Sequence, residues 1–315
     1  MTEAGRRLLV VLNPMAGRGR VRGAWPRVEA HLRAAGADFD LIQTTAPGGA
    51  TEVAVRASDE GYDVVVAAGG DGTVQEVVNG LLTGSGNGAR PALGLLPLGS
   101  GNDFAKPTGV SDADVPGAVR ALMQAPVRRV DVGRMNDRYF VNGVGVGFDA
   151  RVGIEAARST RLRGLPMYGW ALLKVLRDHT NPRMRVEVDG KVVADRDLTL
   201  VTVGNGGCHG GGFWLCPDAC IDDGLFDICI AHGLPRRRIP FLLPAVMRGT
   251  HPRLPFVEMR RGRRVRITSD DPLPIHADGE IVTAEGHELE IEMHEGKLGL
   301  VSFGLPQCEP RSAAR

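Results

Sequence analysis

The chain has 315 residues, with 38 Lys and Arg against 37 Asp and Glu, and it is 43% hydrophobic, 24% charged and 5% aromatic. These are ordinary globular values, so we expect a sizeable core. A net charge of +1 gives no general attraction to nucleic acid, and so few aromatic side chains do not suggest base-stacking platforms. The length favours two domains, because single cores stop growing near ~250–300 residues.

Cysteine usage and the N-terminus bear on location. An odd number of cysteines in a long chain favours a reducing cytoplasm. The first apolar stretch runs only from Leu8 to Leu12, too short for the core of a signal peptide, and no run approaches the ~18 apolar residues of a membrane span. We therefore expect a cytoplasmic protein. Zinc binding is disfavoured, because no C-x₂-C pair occurs among the cysteines, which are Cys208, Cys216, Cys220, Cys229 and Cys308.

The first 130 residues alternate strand and helix, which predicts a doubly wound α/β domain with a mostly parallel sheet. Ligands bind such sheets at the carboxyl ends of the strands. The predicted strands are 7–12, 39–43, 64–67 and 93–96, and the predicted helices are 21–32, 51–58 and 73–82.

Three strand ends carry unusual loops: 13–17, 69–73 and 97–103. The second reads Gly-Gly-Asp-Gly-Thr, and its glycines let backbone N–H groups face an anion, with Thr73 as the expected cap of the following helix. Asp71 would be repelled by bare phosphate, so its natural partner is Mg²⁺ on a nucleotide's phosphates. The loops together predict a nucleotide site.

Two familiar nucleotide motifs are absent. No G-x-x-x-x-G-K-[ST] occurs, which excludes a Walker-type NTPase. Gly17, Gly19 and Gly23 are spaced one residue too widely for the dinucleotide fingerprint, so a dehydrogenase is also disfavoured.

Strands dominate beyond about residue 130, which predicts a β-rich second domain over 131–297. The last predicted strand, in 298–315, can return to the first domain, since chain termini often lie close together. Two helices are expected, near 167–178 and 235–247. The predicted strands are 130–134, 138–142, 185–188, 191–194, 198–203, 226–231, 264–268, 280–283, 288–293 and 298–303.

Three features of the second half could carry chemistry. The glycine run 142–149 could line a cleft, or it could mark bulges in a twisted sheet. The acidic turn 217–225 suits a hard cation, although such turns are usually solvated. In the third, Asp278-Gly279-Glu280, one carboxylate could act as a general base. A plain Asp-Gly turn is the simpler interpretation. The nearby His276 is expected to be structural.

Five motifs in register resemble the diacylglycerol kinase catalytic family, and especially its soluble bacterial lipid kinases, with sphingosine and ceramide kinases as relatives. They are Asn13-Pro14-x-Ala-Gly17, Gly69-Gly70-Asp71-Gly72-Thr73, Pro97-x-Gly-Ser-Gly-Asn102-Asp103, Asp222-Asp223-Gly224-Leu225 and Asp278-Gly279-Glu280. The resemblance spans nearly the whole chain. It implies a nucleotide-binding α/β domain and a C-terminal β-sandwich, with the active site in the cleft between them.

Carried over position by position, the resemblance also implies roles for individual residues. Asp71 would engage Mg²⁺ and the phosphates, with Asn102 and Asp103 nearby, and Glu280 or Asp278 would be the base that accepts the proton of a lipid hydroxyl. A structural Mg²⁺ would be held by the carbonyls of Cys220 and Leu225 and by the carboxylate of Asp223. The remaining expected ATP-binding residues are Asn13, Pro14, Met15, Ala16, Gly17, Thr44, Gly70, Gly72, Thr73, Val74, Gln75, Glu76 and Ser100.

Two positions depart from the family pattern. Ser100 stands where threonine is usual and keeps the hydroxyl, whereas Gly49 replaces an aspartate and removes a carboxylate. Neither change removes catalysis.

The expected function is therefore an ATP- and Mg²⁺-dependent lipid kinase, most simply one that converts diacylglycerol to phosphatidic acid. An NAD kinase-like enzyme and a non-catalytic lipid-binding regulatory protein are the alternatives. Two arginine clusters, 236–238 and 260–266, could touch an anionic bilayer, placing the protein at the inner face of the membrane. The expected partners are the lipid substrate, that membrane surface and a possible second copy in a homodimer.

Overall fold

The computed structural model describes residues 5–84, 90–111, 113–158 and 165–305. Within them the chain forms two compact units. The first contains 5–132, 138–141 and 295–305, and the second contains 133–137 and 142–294. Cys308 and the end of the segment predicted to return to the first domain lie outside the described residues.

The strands, in chain order, are β1 (Arg7–Leu12), β2 (Asp38–Gln43), β3 (Val64–Gly69), β4 (Ala92–Pro97), β5 (Val127–Met135), β6 (Arg138–Phe140), β7 (Gly143–Gly147), β8 (Arg183–Val188), β9 (Lys191–Gly204), β10 (Phe226–His232), β11 (Val257–Gly262), β12 (Arg264–Ala277) and β13 (Glu280–Val301). The α-helices are α1 (Arg20–Ala34), α2 (Gly49–Ala57), α3 (Asp71–Thr83), α4 (Val115–Gln124), α5 (Phe148–Ala157), α6 (Leu165–Asp178) and α7 (Leu243–Arg248). Short 3₁₀ segments cover Ala16–Gly19, Lys106–Thr108, Arg236–Leu242 and His251–Arg253.

The first unit is built on a parallel sheet with strand order β2-β1-β3-β4. Its central strands β1 and β3 are apolar and buried almost throughout, as expected for a sheet covered by helices on both faces. In α1, Val21, Trp25, Val28 and Leu32 recur at helical spacing and pack into the same core cluster as the strands. The carboxyl ends of β1, β3 and β4 therefore lie side by side at one edge of the sheet.

The second unit is dominated by antiparallel strands. The order β11-β10-β9-β7-β12 is extended by β8, which pairs with both β9 and β12, and by the pairing of β12 with β13. The glycine run expected to line a cleft or mark bulges contains a buried strand, β7, which pairs with β9 and β12. The chain is thus α/β in its first unit and β-rich in its second.

Several predicted boundaries are wrong. The separate strands 191–194 and 198–203 form one strand, β9, and the segments 280–283 and 288–293 lie in one strand, β13, which continues to Val301. The sequence analysis interpreted polar stretches within these segments as breaks between strands. Hydrogen bonding to neighbouring strands keeps both strands extended there, because β9 pairs with β8 and β10 while β13 pairs with β12. The sequence also missed α4, α5 and β11.

No helix in the ranges that the structure describes is both long enough and apolar enough to cross a bilayer.

Candidate functional site

The three loops at the carboxyl edge of the first unit's sheet contact one another. A Cβ built on Gly99 would lie 2.3 Å from the Cα of Gly70, so the second and third loops touch where neither has a side chain. A Cβ on Gly17 would lie 3.3 Å from the carbonyl oxygen of Leu98. Glycine at these positions allows close backbone approach, which is the geometry that exposes N–H groups to an anion.

Helix α3 begins at this junction. Its N-cap is Gly70, which has extended backbone and makes no side-chain cap, so the prediction that Thr73 caps the helix is wrong. Thr73 is buried in the first turn, and its hydroxyl accepts a hydrogen bond from Nδ2 of Asn13 at 3.2 Å. The uncapped N–H groups and the positive end of the helix dipole make the start of α3 suited to an anion.

Asp71 is the first residue of α3, and its carboxylate is desolvated. Burial is the main cause that raises its pKa, and the nearby Asp103 raises it further. The backbone N–H of Phe104 donates to Oδ1 of Asp71 at 3.3 Å and opposes this effect. Asp103 is itself buried and forms an ion pair with Lys106. Two acidic side chains thus lie close together beside an anion site.

The third loop is braced by Asn102. Its Oδ1 accepts from the N–H of Gly99 at 3.0 Å, and its Nδ2 donates to the carbonyl oxygens of Pro97 and Gly99 at 3.2 and 3.3 Å. Asn102 has a φ of 50°, a left-handed conformation that asparagine tolerates better than most residues. Its side chain therefore shapes the loop, and any role in nucleotide binding stays a prediction.

Arg20 is a site residue that the sequence analysis missed. From the first turn of α1, its Nη2 donates to Oγ of Ser100 at 2.9 Å, and its Nε donates to the carbonyl oxygen of Gly17 at 3.3 Å. The guanidinium is exposed, so the positive charge of Arg20 lies where the first and third loops meet. A basic residue three positions after the glycine of the first loop is the signal that could have revealed it.

Some residues predicted to bind ATP use their side chains elsewhere. Oε2 of Glu76 accepts from the N–H of Ala50 at 3.0 Å and ties α3 to the start of α2. Oε1 of Gln75 accepts from Arg138 at 2.8 Å. Val74 is buried. These three residues stabilise α3 through their side chains, and their nucleotide contacts stay predictions.

Other expected residues lie along the sheet edge. Thr44 follows β2 and donates its backbone N–H to the carbonyl oxygen of Leu12, so it stands next to the end of β1. The first loop, which contains Pro14, Met15 and Ala16, is half-buried apart from the Met15 side chain, which is exposed. Gly72 lies in the first turn of α3.

In the second unit, Asp278 and Gly279 form the turn that joins β12 to β13. Both have positive φ, 49° and 85°, which a hairpin of this kind requires. Oδ1 of Asp278 accepts from the backbone N–H groups of Asn142 and Gly143, both at 2.9 Å, while its own N–H donates to the carbonyl oxygen of Gly143. Asp278 therefore anchors the hairpin to the start of β7. Glu280, the first residue of β13, is half-buried.

His276 faces an acidic partner. Its Nε2 lies 3.4 Å from Oδ2 of Asp149, and both side chains are largely buried. A Cβ on Gly145 would lie 2.1 Å from that carboxylate oxygen and 2.3 Å from that ring nitrogen, so β7 needs glycine there. The glycine run thus makes room for a polar pair.

The acidic turn predicted to hold a cation is bonded within the second unit. Oδ1 of Asp223 accepts from the N–H of Leu225 at 3.0 Å, and Oδ2 forms an ion pair with Arg261. Arg261 also lies 3.3 Å from the carboxylate of Asp227, and burial raises the pKa of Asp227 to about 6. Among the described residues, no group of three or more His, Cys, Asp or Glu side chains is placed to hold a metal ion. A cation bound through Asp223 and the carbonyls of Cys220 and Leu225 would compete with Arg261, and it stays a prediction.

The fold and the loop junction define an α/β protein with a second, β-rich unit and a glycine-lined helix N-terminus of the kind that suits an anion. Family models specify the class further. A model described as "Diacylglycerol kinase catalytic domain" matches residues 7–135, and one described as "YegS C-terminal NAD kinase beta sandwich-like domain" matches residues 142–299. The chain belongs to the diacylglycerol kinase family, and it is a kinase.

Curated relatives agree with this assignment, and solved structures share the fold. A protein named diacylglycerol kinase from Staphylococcus aureus (strain MRSA252) is 32% identical over 87% of this chain and 86% of its own length. A diacylglycerol kinase from Staphylococcus carnosus is 30% identical over 87% and 89%. The crystal structure of a diacylglycerol kinase from Bacillus anthracis covers 96% of this chain and 98% of that chain, with 22% identity and a TM-score of 0.72. An Archaeoglobus fulgidus NAD kinase covers 96% and 95%, with 15% identity and a TM-score of 0.53. Both structures bear on the fold alone.

Proposed function

We propose that this kinase transfers the γ-phosphoryl group of ATP to the hydroxyl of a lipid, with Mg²⁺ as cofactor, and that diacylglycerol is the lipid and phosphatidic acid the product. The family and the names of its relatives support this substrate. A diacylglycerol hydroxyl is a primary alcohol, so its phosphorylation needs a base, an oriented phosphate donor and compensation of phosphate charge.

The observation that carries the proposal is the half-buried carboxylate of Asp71, which lies where the three loops of the sheet edge meet. A glycine-lined junction at a helix N-terminus favours phosphate, yet an ionised Asp71 would repel it. The arrangement becomes favourable when a cation lies between the phosphate and the Asp71 carboxylate. Burial is the main cause that raises the pKa of Asp71, and Asp103 raises it further, so a cation beside this carboxylate would stabilise its ionised form.

The residues present fit Mg²⁺. Such ions in kinases are held by one or two carboxylates together with the substrate phosphates, and they favour oxygen ligands. Asp71 would be the protein anchor, with Asp103 close enough to raise its pKa and Lys106 partly balancing the pair. When bound, Mg²⁺ would neutralise charge on the transferring phosphoryl group. Arg20 would add a second positive charge from the side of Ser100.

Glu280 is the stronger candidate for the general base. Two backbone N–H groups already bond one carboxylate oxygen of Asp278, and its backbone N–H is bonded as well, so its geometry serves the hairpin. Glu280 follows immediately, on a turn whose shape Asp278 fixes. In this scheme Glu280 removes the hydroxyl proton and Asp278 is a positioning residue.

The test is incubation of the purified chain with labelled ATP, Mg²⁺ and a total-lipid extract, with identification of the labelled product. We expect labelled phosphatidic acid, and Asp71→Asn should lower turnover by roughly two to four orders of magnitude while the fold stays intact. Asp59→Asn, an exposed acid after α2, is the matched control and should behave like the wild type. Labelling of NAD in place of lipid, or wild-type turnover in Asp71→Asn, would contradict the proposal.

We further propose that the enzyme works in the cytoplasm as a peripheral protein at the inner, anionic face of the membrane, because its substrate is embedded there. A homodimer is a separate proposal, based only on how common twofold assemblies are. Sedimentation equilibrium over a range of concentrations tests it, and a constant monomer mass would reject it.

A further inference from the structure

Helix α6 presents apolar side chains to solvent. Its inner face is formed by Ala171, Leu172 and Val175, which are buried. On the outer face, Trp170 is 43% exposed and Leu173 is 69% exposed. These two residues are three positions apart, so they lie on the same side of the helix and form one exposed apolar surface. Burial in the unit therefore does not explain the choice of apolar residues on this side of α6.

The adjoining 3₁₀ segment Arg236–Leu242 repeats the pattern. Ile239 is buried in a small apolar cluster that also contains Leu172 and Val175, so the segment packs on the inner face of α6. The guanidinium of Arg236 donates to the carbonyl oxygen of Arg177 and ties the two elements together. Phe241 points the other way and is 82% exposed. The outward side chains of α6 and of this segment thus belong to neighbouring elements of one unit.

Positive charge accompanies these apolar residues. Arg237 and Arg238 are exposed, and no acidic side chain among the described residues pairs with either of them. The second arginine cluster differs. Arg264 pairs with Glu292 at 2.9 Å, and Arg266 bonds Glu288 through its Nε at 2.8 Å. Only the first cluster therefore offers uncompensated charge beside exposed apolar side chains.

We propose that a docking face formed by Trp170, Leu173, Arg237, Arg238 and Phe241 binds an anionic phospholipid bilayer. Large apolar and aromatic side chains enter the headgroup boundary, and arginines bind the negative surface, which is the combination that interfacial binding requires. Charge complementarity favours this partner, because unpaired cations select an anionic surface. The inference rests on the proposed function and adds the surface that brings the enzyme to its lipid.

The test is co-sedimentation of the full chain with vesicles, without ATP, using phosphatidylcholine alone or mixed with phosphatidylglycerol. Wild type should bind the mixed vesicles, and more weakly as salt rises. Arg237→Ala with Arg238→Ala should lower the partition coefficient about 30-fold, which corresponds to about 1 kcal/mol per charge. Phe241→Ala should lower it about tenfold or more.

The matched control is Arg264→Ala with Arg266→Ala, which removes two paired arginines from the same unit. Vesicle binding of this control should stay within about twofold of wild type. Equal losses in both double variants, or no binding of wild type to mixed vesicles, would overturn the docking face. Circular dichroism and Tm of every variant separate lost binding from lost folding.

A kinase assay separates this inference from the proposed function. On a short-chain diacylglycerol dispersed in water, the docking-face variants should phosphorylate the lipid at the wild-type rate. On diacylglycerol in mixed vesicles, their rate should fall by the factor measured for vesicle binding. Inactivity of the wild type on both forms, with vesicle binding intact, would refute the lipid kinase and leave the docking face standing. Equal activity of variants and wild type on vesicles would refute the docking face alone.

Discussion

Replacing Gly99 by alanine tests whether contact between the second and third loops builds the nucleotide site. The new Cβ would lie 2.3 Å from the Cα of Gly70 and 2.8 Å from Oδ1 of Asn102. Carbon atoms normally stay about 3.5–4.0 Å apart, so the two loops would have to separate by about 1 Å. Neither partner is the far end of a flexible side chain that could turn away, because Gly70 offers backbone and Asn102 is bonded at three points.

Two effects follow from that displacement. Overpacking of this kind costs about 1–3 kcal/mol, which should lower the Tm of the first unit by roughly 4–10 °C. A shift of about 1 Å also moves N–H groups away from the phosphates, and misplacement of this size can cost ~100-fold in turnover. Calorimetric titration with Mg²⁺ and ATP should show an affinity at least about tenfold weaker than that of the wild type.

Gly23→Ala is the matched control. Gly23 is exposed on α1 of the same unit, and a Cβ there meets nothing within 4 Å. Alanine should stabilise that helix by about 0.5–1 kcal/mol and leave ATP binding unchanged. An unchanged Tm together with an unchanged ATP affinity in Gly99→Ala would refute the argument that the loop contact shapes the site.

Three further predictions address other parts of the chain. Glu280→Gln should depress kcat by ~10²–10⁴ with ATP affinity nearly unchanged, whereas Asp278→Asn should lower the Tm as well. Wild-type kcat in Glu280→Gln together with loss of turnover in Asp278→Asn would exchange their roles. Asp223→Ala should abolish any Mg²⁺-dependent rise in Tm if the acidic turn holds a cation, and equal Mg²⁺ shifts in both proteins would reject that site. Burial lowers the pKa of His251, so the neutral ring contributes its full stability above about pH 6.5, and this contribution is lost as the pH falls towards the folded-state pKa. His251→Gln should therefore flatten the fall in unfolding free energy between about pH 7 and 5.5. An unchanged slope would contradict this.

Much of the site could be predicted because its signals are local. A glycine-rich loop directly after an apolar strand, as at Gly70 and Asp71, is specified by neighbouring residues, and the β/α alternation places such loops at one edge of a parallel sheet. Strands β1–β4 and helices α1–α3 of the first unit follow from the same short-range patterns, whereas α4 does not. The hairpin at Asp278 and Gly279 is local as well, since only certain residues adopt positive φ.

Tertiary structure alone decided which neighbours these residues have. The residue order does not reveal that Arg20 reaches Ser100 or that Glu76 bonds the start of α2, because each pair is separated by many residues and meets only when the chain is packed. The family resemblance placed Asp103 near Asp71, but its effect on the pKa of Asp71 follows only from the folded structure. Pairing across strands likewise extended β13 through polar residues that a local pattern reads as breaks.

The arginines show the same division most simply. The amino-acid order gives two basic clusters, and it favours the first for membrane contact only because an apolar run, 239–243, follows it. In the folded chain, strand pairing sets Arg264 and Arg266 opposite glutamates, while Arg237 and Arg238 stand exposed beside Phe241. Composition was enough to predict that charge is present, but whether that charge is compensated depends on distances of a few ångströms, which only the fold determines.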